Sequence, residues 1–277
     1  MRPGVACADT PHHVTSIFLP VKGRTLEETG SIGVGLAVEP RLTACMGPSM
    51  NHKISTILRV VRLLGLDQAT IQVNTPLPPG SGYAVSAASA ISAALVLTSG
   101  RKPVREALLA AHLAEILEGT GLGDVLALSC GVGVVLRRSP GAPGVGRVDC
   151  IQLPGTVSIL SVETGRMHTS QMLSGLDTGF LKKARIYLDK IFDEPTFESF
   201  AYYSELFSRE SGMLHSALGG RELPRVPGKI AVYGKKKVVV FLVERDRLGD
   251  AIEVLEKWGA RPRLLEASSG PPRVWWA

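Results

Sequence analysis

The chain has 277 residues, of which 45% are hydrophobic, 20% are charged and 5% are aromatic, and its formal net charge is +6. This composition excludes a disordered chain and a fibre, and the length predicts one large domain or two modest ones. The sequence has neither the roughly 18 consecutive apolar residues of a membrane span nor the apolar core of a signal peptide, which predicts a soluble, cytoplasmic protein without a membrane partner.

The N-terminal half predicts strands that alternate with helices. Stretches rich in β-branched residues and bounded by Gly or Pro predict strands, and apolar residues at helical spacing predict helices. In chain order these are strands at 14–21 and 32–44, a helix at 51–64, a strand at 69–73, helices at 83–98 and 104–118, and a strand at 131–138. In the helix at 104–118, we expect the leucines and His112 to form the buried side.

The C-terminal half follows a Gly- and Pro-rich stretch at 139–155, which predicts a domain boundary near residue 150. Its split pattern of strands and helices predicts an α+β fold with domains at 1–150 and 151–277, the second a ferredoxin-like sandwich. The predicted elements are a strand at 156–163, helices as far as Leu218, a hairpin at 229–244, a helix at 246–258 and a strand near Arg263.

Lys235, Lys236 and Lys237 lie between the two strands of the predicted hairpin, which predicts an exposed turn. The net positive charge favours anionic ligands, among them nucleic acid and small phosphorylated or carboxylated molecules. Nucleic acid is disfavoured as a partner, because its binding surfaces interleave basic residues with aromatic side chains and this chain has few aromatics.

The four cysteines show no Cys-x-x-Cys spacing. In a cytoplasmic protein of this size we expect them to be small buried apolar side chains rather than bridges or ligands. A zinc site formed by Cys7, His12 and His13 is the less favoured alternative.

The segment PPGSGYAVSAA, residues 78–88, leads from a predicted strand into a helix rich in Ala and Ser. Gly80 and Gly82 permit positive φ and a close approach of backbone amides, and the helix N-terminus adds free N–H groups and a positive dipole. Ser81 and Ser86 offer hydroxyl groups to a phosphate or to Mg²⁺. The pattern predicts a phosphate-binding loop, although it is neither a Walker A motif nor G-x-G-x-x-G. The alternative is a glycine turn in which Ser caps an ordinary helix.

Two carboxylates follow this loop in the sequence. Glu115 lies late on the helix at 104–118, and Asp124 follows a loop with three glycines. In phosphoryl transfer one carboxylate can hold Mg²⁺ while the other orients the attacking hydroxyl and accepts its proton. Taken singly, Asp124 is more simply a helix cap and Glu115 a solvated surface charge, so the prediction depends on the pair arriving after a phosphate-binding loop.

The segment PLPPGSGYAVSAAS resembles the P-x-G-x-G-L-x-S-S-A-A signature of the GHMP kinases, a family that includes galactokinase, homoserine kinase and mevalonate kinase. Within that family, the stretches PHHVTSIFLP, TGSIGVGLAV and EILEGTGLGDVLALSCGVGVVLRRSPG resemble the archaeal pantoate kinases. The resemblance implies an N-terminal domain of ribosomal protein S5 domain 2-like fold and a ferredoxin-like C-terminal domain. It also implies ATP-dependent phosphorylation of pantoate to 4-phosphopantoate, a step of coenzyme A synthesis, with Mg²⁺.

The resemblance also implies roles for individual residues. The triphosphate would lie on the loop formed by Pro79, Gly80, Ser81, Gly82 and Ser86. Glu115 and Ser86 would hold Mg²⁺, and Asp124 would activate the pantoate hydroxyl. The substrate would contact Arg137, with Arg138 as the alternative for its carboxylate, together with Ser31 and His13.

The sequence departs from the family pattern at several points. His12 and Ala84 stand where glycine is usual, and a Cβ costs energy wherever φ must be positive. The third glycine-rich signature survives only as 232–234, which disfavours phosphate contact from that side. We expect a homodimer, and the tail 274–276 is either a docked end or a subunit contact. Two alternatives stay open, namely a GHMP kinase for another alcohol of the mevalonate, homoserine or shikimate type, and a non-catalytic basic binding module.

Overall fold

A computed structural model of the protein describes residues 4–47 and 54–277. Within these ranges the fold is of the α+β class, as predicted. Its strands are β1 (Ala6–Val21), β2 (Gly30–Met46), β3 (Ile71–Asn74), β4 (Val134–Arg137), β5 (Val148–Ile151), β6 (Val157–Glu163), β7 (Lys229–Lys235), β8 (Val238–Glu244), β9 (Arg263–Ala267) and β10 (Arg273–Trp276).

The helices connect these strands and cover their faces. They are α1 (Ser55–Leu63), α2 (Val85–Thr98), α3 (Val104–Glu118), α4 (Asp124–Cys130), α5 (Thr169–Ser174), α6 (Thr178–Asp193), α7 (Phe197–Glu210), α8 (Met213–Leu218) and α9 (Leu248–Lys257), with a 3₁₀ turn at Arg245–Arg247. The start of the helix predicted at 51–64 lies outside the described residues. Helix α4 was not predicted. None of the helices within the described ranges is long and apolar enough to pass through a bilayer.

The strands form a ten-stranded sheet in the order β10-β1-β2-β9-β6-β8-β7, with β3 and β4 also paired to β2, and β5 paired to β4. All of the paired strands run antiparallel. The tail is a docked end, because β10 pairs with β1 and places Trp276 opposite Ala6. Two C-terminal strands therefore pair with N-terminal strands, namely β9 with β2 and β10 with β1.

Helix α2 is packed tightly into the N-terminal part of the chain, so its first turn is held in a fixed position. Its small residues let it pack closely on β1, β2 and α3, and nearly the whole helix is buried. In the C-terminal part, alternate residues of β8 face two cores, as the two-residue period of a strand requires. One core includes α6 and α7, and the other includes α8 and α9.

Helix α3 has the predicted bounds, but its buried side differs from the prediction. The alanines, His112 and Glu115 are buried, whereas the leucines are partly buried or exposed. Alanine fits this side because α3 packs against the equally small-residue helix α2. The leucines instead occupy the rim of that contact.

The expectation for the cysteines was wrong. Cys7 is bonded to Cys45, and Cys130 is bonded to Cys150. The first pair faces across the antiparallel register of β1 and β2, and the second joins the end of α4 to β5. Spacing in the sequence carries no signal for these pairings, because both are set by the fold. The zinc alternative is also excluded, since Cys7 is in a disulfide.

Candidate active site

A cavity of about 600 Å³ lies between the loop before α2, the loop between α3 and α4, the end of β4 and the β7–β8 hairpin. Its volume is typical of a small-ligand site. Residues that were predicted for the site and that line this cavity are Ser31, Pro79, Gly80, Gly82, Ser86, Asp124 and Arg137. Three others, His13, Ser81 and Glu115, are buried beside it.

The loop from Pro79 to Ala84 delivers the N-terminus of α2 to the cavity. Gly80, Gly82 and Ala84 all have positive φ, of 83°, 132° and 55°. Ala84 therefore takes a conformation that costs an L-residue with a Cβ about 1 kcal/mol or more. No side chain of residues 4–47 or 54–277 caps α2, so the N–H groups of its first turn are available to an anion.

Ser81 does not point into the cavity. Its hydroxyl donates to the carbonyl of Gly165 at 3.1 Å, and its side chain is buried. The N–H of Met167 donates to the carbonyl of Gly80 at 3.0 Å. The segment between β6 and α5 therefore fixes the loop from the C-terminal part of the chain, and the side chain of Ser81 serves this attachment.

Glu115 is 2% exposed and lies below the glycine loop that follows α3. Its Oε1 atom accepts a hydrogen bond from Thr120, while Oε2 has no partner in the described residues. Burial raises the pKa of Glu115 to about 7; the charge of Asp124 adds to this effect, and hydrogen bonds from Thr120 and Ser86 oppose it. A buried carboxylate with one unpaired oxygen is suited to a cation, and Ser86 supplies a second oxygen beside it.

Asp124 is the first residue of α4 and the centre of a polar cluster. Its Oδ1 atom accepts a hydrogen bond from His13 Nδ1 at 2.8 Å and one from the Thr15 hydroxyl at 3.3 Å. Arg137 Nη1 lies 4.0 Å from the same oxygen. Because a carboxylate only accepts, His13 carries a proton on Nδ1. The cluster fixes Asp124 while 22% of its side chain stays exposed to the cavity.

The pKa values in this cluster favour an ionised Asp124 beside a neutral His13. Burial alone would raise the pKa of Asp124, but the hydrogen bond from His13 and the charges of Arg137 and Lys235 outweigh it and hold that pKa below its usual range. Burial lowers the pKa of His13, although Asp124 opposes this effect. His13 does not line the cavity itself; it orients the carboxylate of Asp124, which does.

Arg137 ends β4 and is almost fully buried, with 1% of its surface exposed. Its Nε and Nη1 atoms have no hydrogen-bond partner in the described residues, although the side chain lines the cavity beside Ser31. A buried guanidinium that keeps two nitrogens free of hydrogen bonds, with Asp124 only at the limit of an ion pair, is suited to a planar anion such as a carboxylate. Arg138 faces elsewhere, because it bonds to Asp149 and stacks on the ring of Phe192.

The prediction of an exposed lysine turn was wrong, because none of the three lysines is fully exposed. Lys235 is the last residue of β7 and is buried, and Lys236 is partly buried; both line the cavity. Lys237 is also partly buried but does not line the cavity, and its ammonium donates to the carbonyl of Ser216. The tip of the hairpin packs over the loop before α2, and a local pattern of strand, lysines and strand carries no information about that contact.

Sequence reasoning also missed Thr15 and Thr120. Thr15 lies two residues after His13 on β1, so both side chains face the same side of the strand and both bond to Asp124. That spacing was a usable signal once His13 and Asp124 had been singled out. Thr120 gave no comparable signal, because its contact with Glu115 depends on how the glycine loop closes on α3.

No family model matches the sequence. The chain is 26% identical to a pantoate kinase of Methanocaldococcus jannaschii over 224 residues, which cover 75% of this chain and 81% of that relative. It is 27% identical to a pantoate kinase of Methanospirillum hungatei over 288 aligned positions, which cover 94% of this chain and 93% of that relative.

Solved structures share the fold over nearly the whole chain. A phosphotransferase related to the CoA biosynthesis pathway matches with a TM-score of 0.76 and 21% identity, over 98% of this chain and 99% of that one. A mevalonate-3-kinase from Thermoplasma acidophilum, with mevalonate 3-phosphate and ADP bound, matches with a TM-score of 0.66 and 11% identity, over 99% of both chains. A protein in complex with MVAPP, AMPPCP and magnesium gives a TM-score of 0.66 and 10% identity, again over 99% of both. The chain therefore has the fold of these proteins.

Proposed function

We propose that this chain is an ATP-dependent kinase that phosphorylates pantoate to 4-phosphopantoate in coenzyme A synthesis. The observation that carries the proposal is one cavity that joins the uncapped N-terminus of α2 to the pair of Asp124 and Arg137. The first feature suits a phosphate and the second suits a hydroxy acid. The two pantoate kinase relatives support this acceptor.

The nucleotide would lie on the loop of Pro79, Gly80 and Gly82, with its phosphates toward the free amides of α2. Glu115 and Ser86 would hold Mg²⁺, since the unpaired oxygen of Glu115 fits a cation. When bound, Mg²⁺ would neutralise charge on the β- and γ-phosphates. Ser81 would act indirectly, because its hydroxyl holds the loop to Gly165.

Asp124 would orient the attacking 4-hydroxyl of pantoate and accept its proton. The bond between the γ-phosphorus and the bridging oxygen breaks, ADP keeps the electron pair, and a new bond forms to the hydroxyl oxygen. A carboxylate with a lowered pKa is sufficient for this role, because a loose transition state depends more on orientation than on a strong base. His13 and Thr15 would hold Asp124 in place.

Arg137 would pair with the pantoate carboxylate, and Ser31 would contact the same substrate from β2. The guanidinium of Arg137 would supply the positive charge, and its Nε and Nη1 atoms have no hydrogen-bond partner among the described residues. This placement brings the acid group of the substrate to the buried end of the cavity. The hydroxyl at the other end of a short hydroxy acid then reaches Asp124.

The proposal is tested by coupling ATP consumption to an acceptor. We expect consumption only when pantoate is present, and we expect Asp124→Ala to abolish turnover while MgATP binding, measured by calorimetry, stays within about threefold. Asp149→Ala is the matched control, because it removes a carboxylate that is 56% exposed and bonded to Arg138. Equal loss of ATP binding and turnover in Asp124→Ala would contradict the assigned role.

The division into domains at 1–150 and 151–277 also stays a proposal. It is supported by the strand order β9-β6-β8-β7, with helices between β6 and β7 and between β8 and β9, as in a ferredoxin-like β-α-β-β-α-β unit. The S5-like assignment of the N-terminal part and the homodimer are likewise proposals, and sedimentation tests the latter.

A further inference from the structure

Two lysines at the tip of the β7–β8 hairpin have no role in the function argued so far. Lys235 is 8% exposed, and no described residue pairs with its ammonium group through a hydrogen bond or an ion pair. Its Nζ atom lies 3.8 Å from the centroid of the Phe18 ring. A cation–π contact offsets only part of the cost of removing an ammonium group from water. The group is therefore suited to an anion from the cavity that it lines.

Lys236 lies on the other side of the hairpin tip. Its Nζ atom donates to the Thr169 hydroxyl at 2.7 Å, and that hydroxyl donates to the carbonyl of Thr120 at 2.6 Å. Thr120 in turn bonds to Glu115. This chain of contacts directs Lys236 toward the side of the cavity that holds Glu115, whereas Lys235 faces Asp124 and Phe18.

The backbone of the hairpin is joined to the loop that precedes α2. The N–H of Lys237 donates to the carbonyl of Ser81 at 3.1 Å. A Cβ at Gly82 would lie 2.7 Å from the carbonyl oxygen of Lys235, so only glycine permits this approach. The two ammonium groups are thereby held on the loop that is proposed to carry the phosphates.

The charges around the cavity also favour an anionic ligand. Burial lowers the pKa of Lys235 to about 7; Asp124 opposes this effect, and the charges of Lys236 and Arg137 add to it. Burial also lowers the pKa of Lys236, against the charges of Asp124 and Glu115. Two lysines and Arg137 thus lie close together at the cavity, and a ligand with several negative charges would favour the protonated form of both lysines.

We propose that Lys235 and Lys236 are the phosphate-binding cations of this site, with Lys235 on the transferred phosphoryl group and Lys236 on the nucleotide phosphates that stay behind. The proposal rests on the proposed kinase function. The two roles are divided by position, since Lys235 lies on the Phe18 ring close to Asp124, whereas Lys236 is held by Thr169, which bonds to the carbonyl of Thr120 beside Glu115. Lys235 keeps its proton throughout and donates hydrogen bonds to a non-bridging oxygen of the phosphoryl group as the bond to ADP breaks.

The test compares Lys235→Met, Lys236→Met and Lys237→Met, with MgATP binding measured by calorimetry and turnover measured with saturating pantoate. We expect Lys235→Met to lower kcat by about 10²-fold or more, with the Kd of MgATP within about threefold. We expect Lys236→Met to raise that Kd by about tenfold or more. Lys237→Met is the matched control and should change neither quantity by more than about twofold, because its ammonium bonds to Ser216 outside the cavity.

Lys235→Arg is a second variant that keeps the charge, and we expect it to recover part of kcat. A kcat within threefold of wild type in Lys235→Met would overturn the role of Lys235. An unchanged Kd in Lys236→Met would overturn the role of Lys236. If the wild type binds MgATP but phosphorylates another alcohol, the proposed acceptor fails and the same comparison is made with that alcohol. If the wild type phosphorylates no alcohol, the proposed kinase function and the role of Lys235 are both wrong. The Kd of MgATP for Lys236→Met still tests the role of Lys236 in that case.

Discussion

Replacing Glu115 with Gln should stabilise the metal-free protein at neutral and alkaline pH. The side chain is 2% exposed and has one oxygen without a partner, so its ionised form is costly in the folded state. Gln has the same shape, and its amide oxygen can still accept from the Thr120 hydroxyl. The substitution therefore removes the buried charge with almost no change of shape, and the cost of burying the amide N–H groups is the same at every pH and does not alter the pH dependence.

The size of the effect follows from the pKa. Burial raises the pKa of Glu115 from 4.5 to about 7, and at about 1.36 kcal/mol per pH unit this corresponds to about 3 kcal/mol. Between these two pH values the folded state binds the proton that the unfolded state has lost, so stability falls as the pH rises through this window. The Gln variant has no proton to lose there.

The assay is urea unfolding of both proteins at pH 4.5, 6 and 8 in EDTA. We expect the variant to gain stability relative to wild type as the pH rises, with about 3 kcal/mol gained by pH 8, or a Tm difference on the order of 6 to 12 °C in a thermal scan. The variant should also lose most of its Mg²⁺-dependent activity. A stability difference that is the same at pH 4.5 and pH 8 would refute the buried, unpaired carboxylate.

Two further predictions use pairs of neighbouring residues. Arg137→Met should raise the KM for pantoate by about 10²-fold with little effect on ATP binding, because it removes the buried charge proposed to hold the carboxylate. Arg138→Met should leave the same KM near the wild-type value, because Arg138 bonds to Asp149. Gly121→Ala should raise the Mg²⁺ concentration that activity requires, since its methyl would overlap Glu115 Oε2. Gly119→Ala, with φ of 62° and no described atom near the added methyl, should instead lower stability by about 1 kcal/mol without changing the Mg²⁺ requirement. An unchanged Mg²⁺ requirement in Gly121→Ala, together with a raised requirement in Gly119→Ala, would contradict this geometry.

The elements that the sequence predicted well depend on residues that are close together in the chain. The loop at 78–86, the bounds of α3 and the succession of Glu115 and Asp124 depend on neighbours within a few residues, and the structure brings these segments to one cavity. Ala84 is a further local feature. The sequence shows alanine where glycine is usual, and the structure gives this residue a positive φ.

The features that were missed depend on contacts between distant parts of the chain. Lys235 lies 217 positions after Phe18, so a hairpin pattern cannot show that its ammonium packs on that ring rather than in solvent. The bond between Cys7 and Cys45 follows from the register of two long strands. The buried alanines of α3 were missed because apolar periodicity favours leucine, whereas the close packing on α2 selects small side chains.

The central claim is most directly tested by competition among acceptors. The wild-type protein is given MgATP and an equimolar mixture of pantoate, mevalonate, homoserine and shikimate, and the products are identified by phosphorus NMR and mass spectrometry. We expect 4-phosphopantoate to be the dominant product, formed together with one equivalent of ADP. Preferential phosphorylation of any of the other three alcohols, or consumption of ATP without a phosphorylated acceptor, would contradict the account.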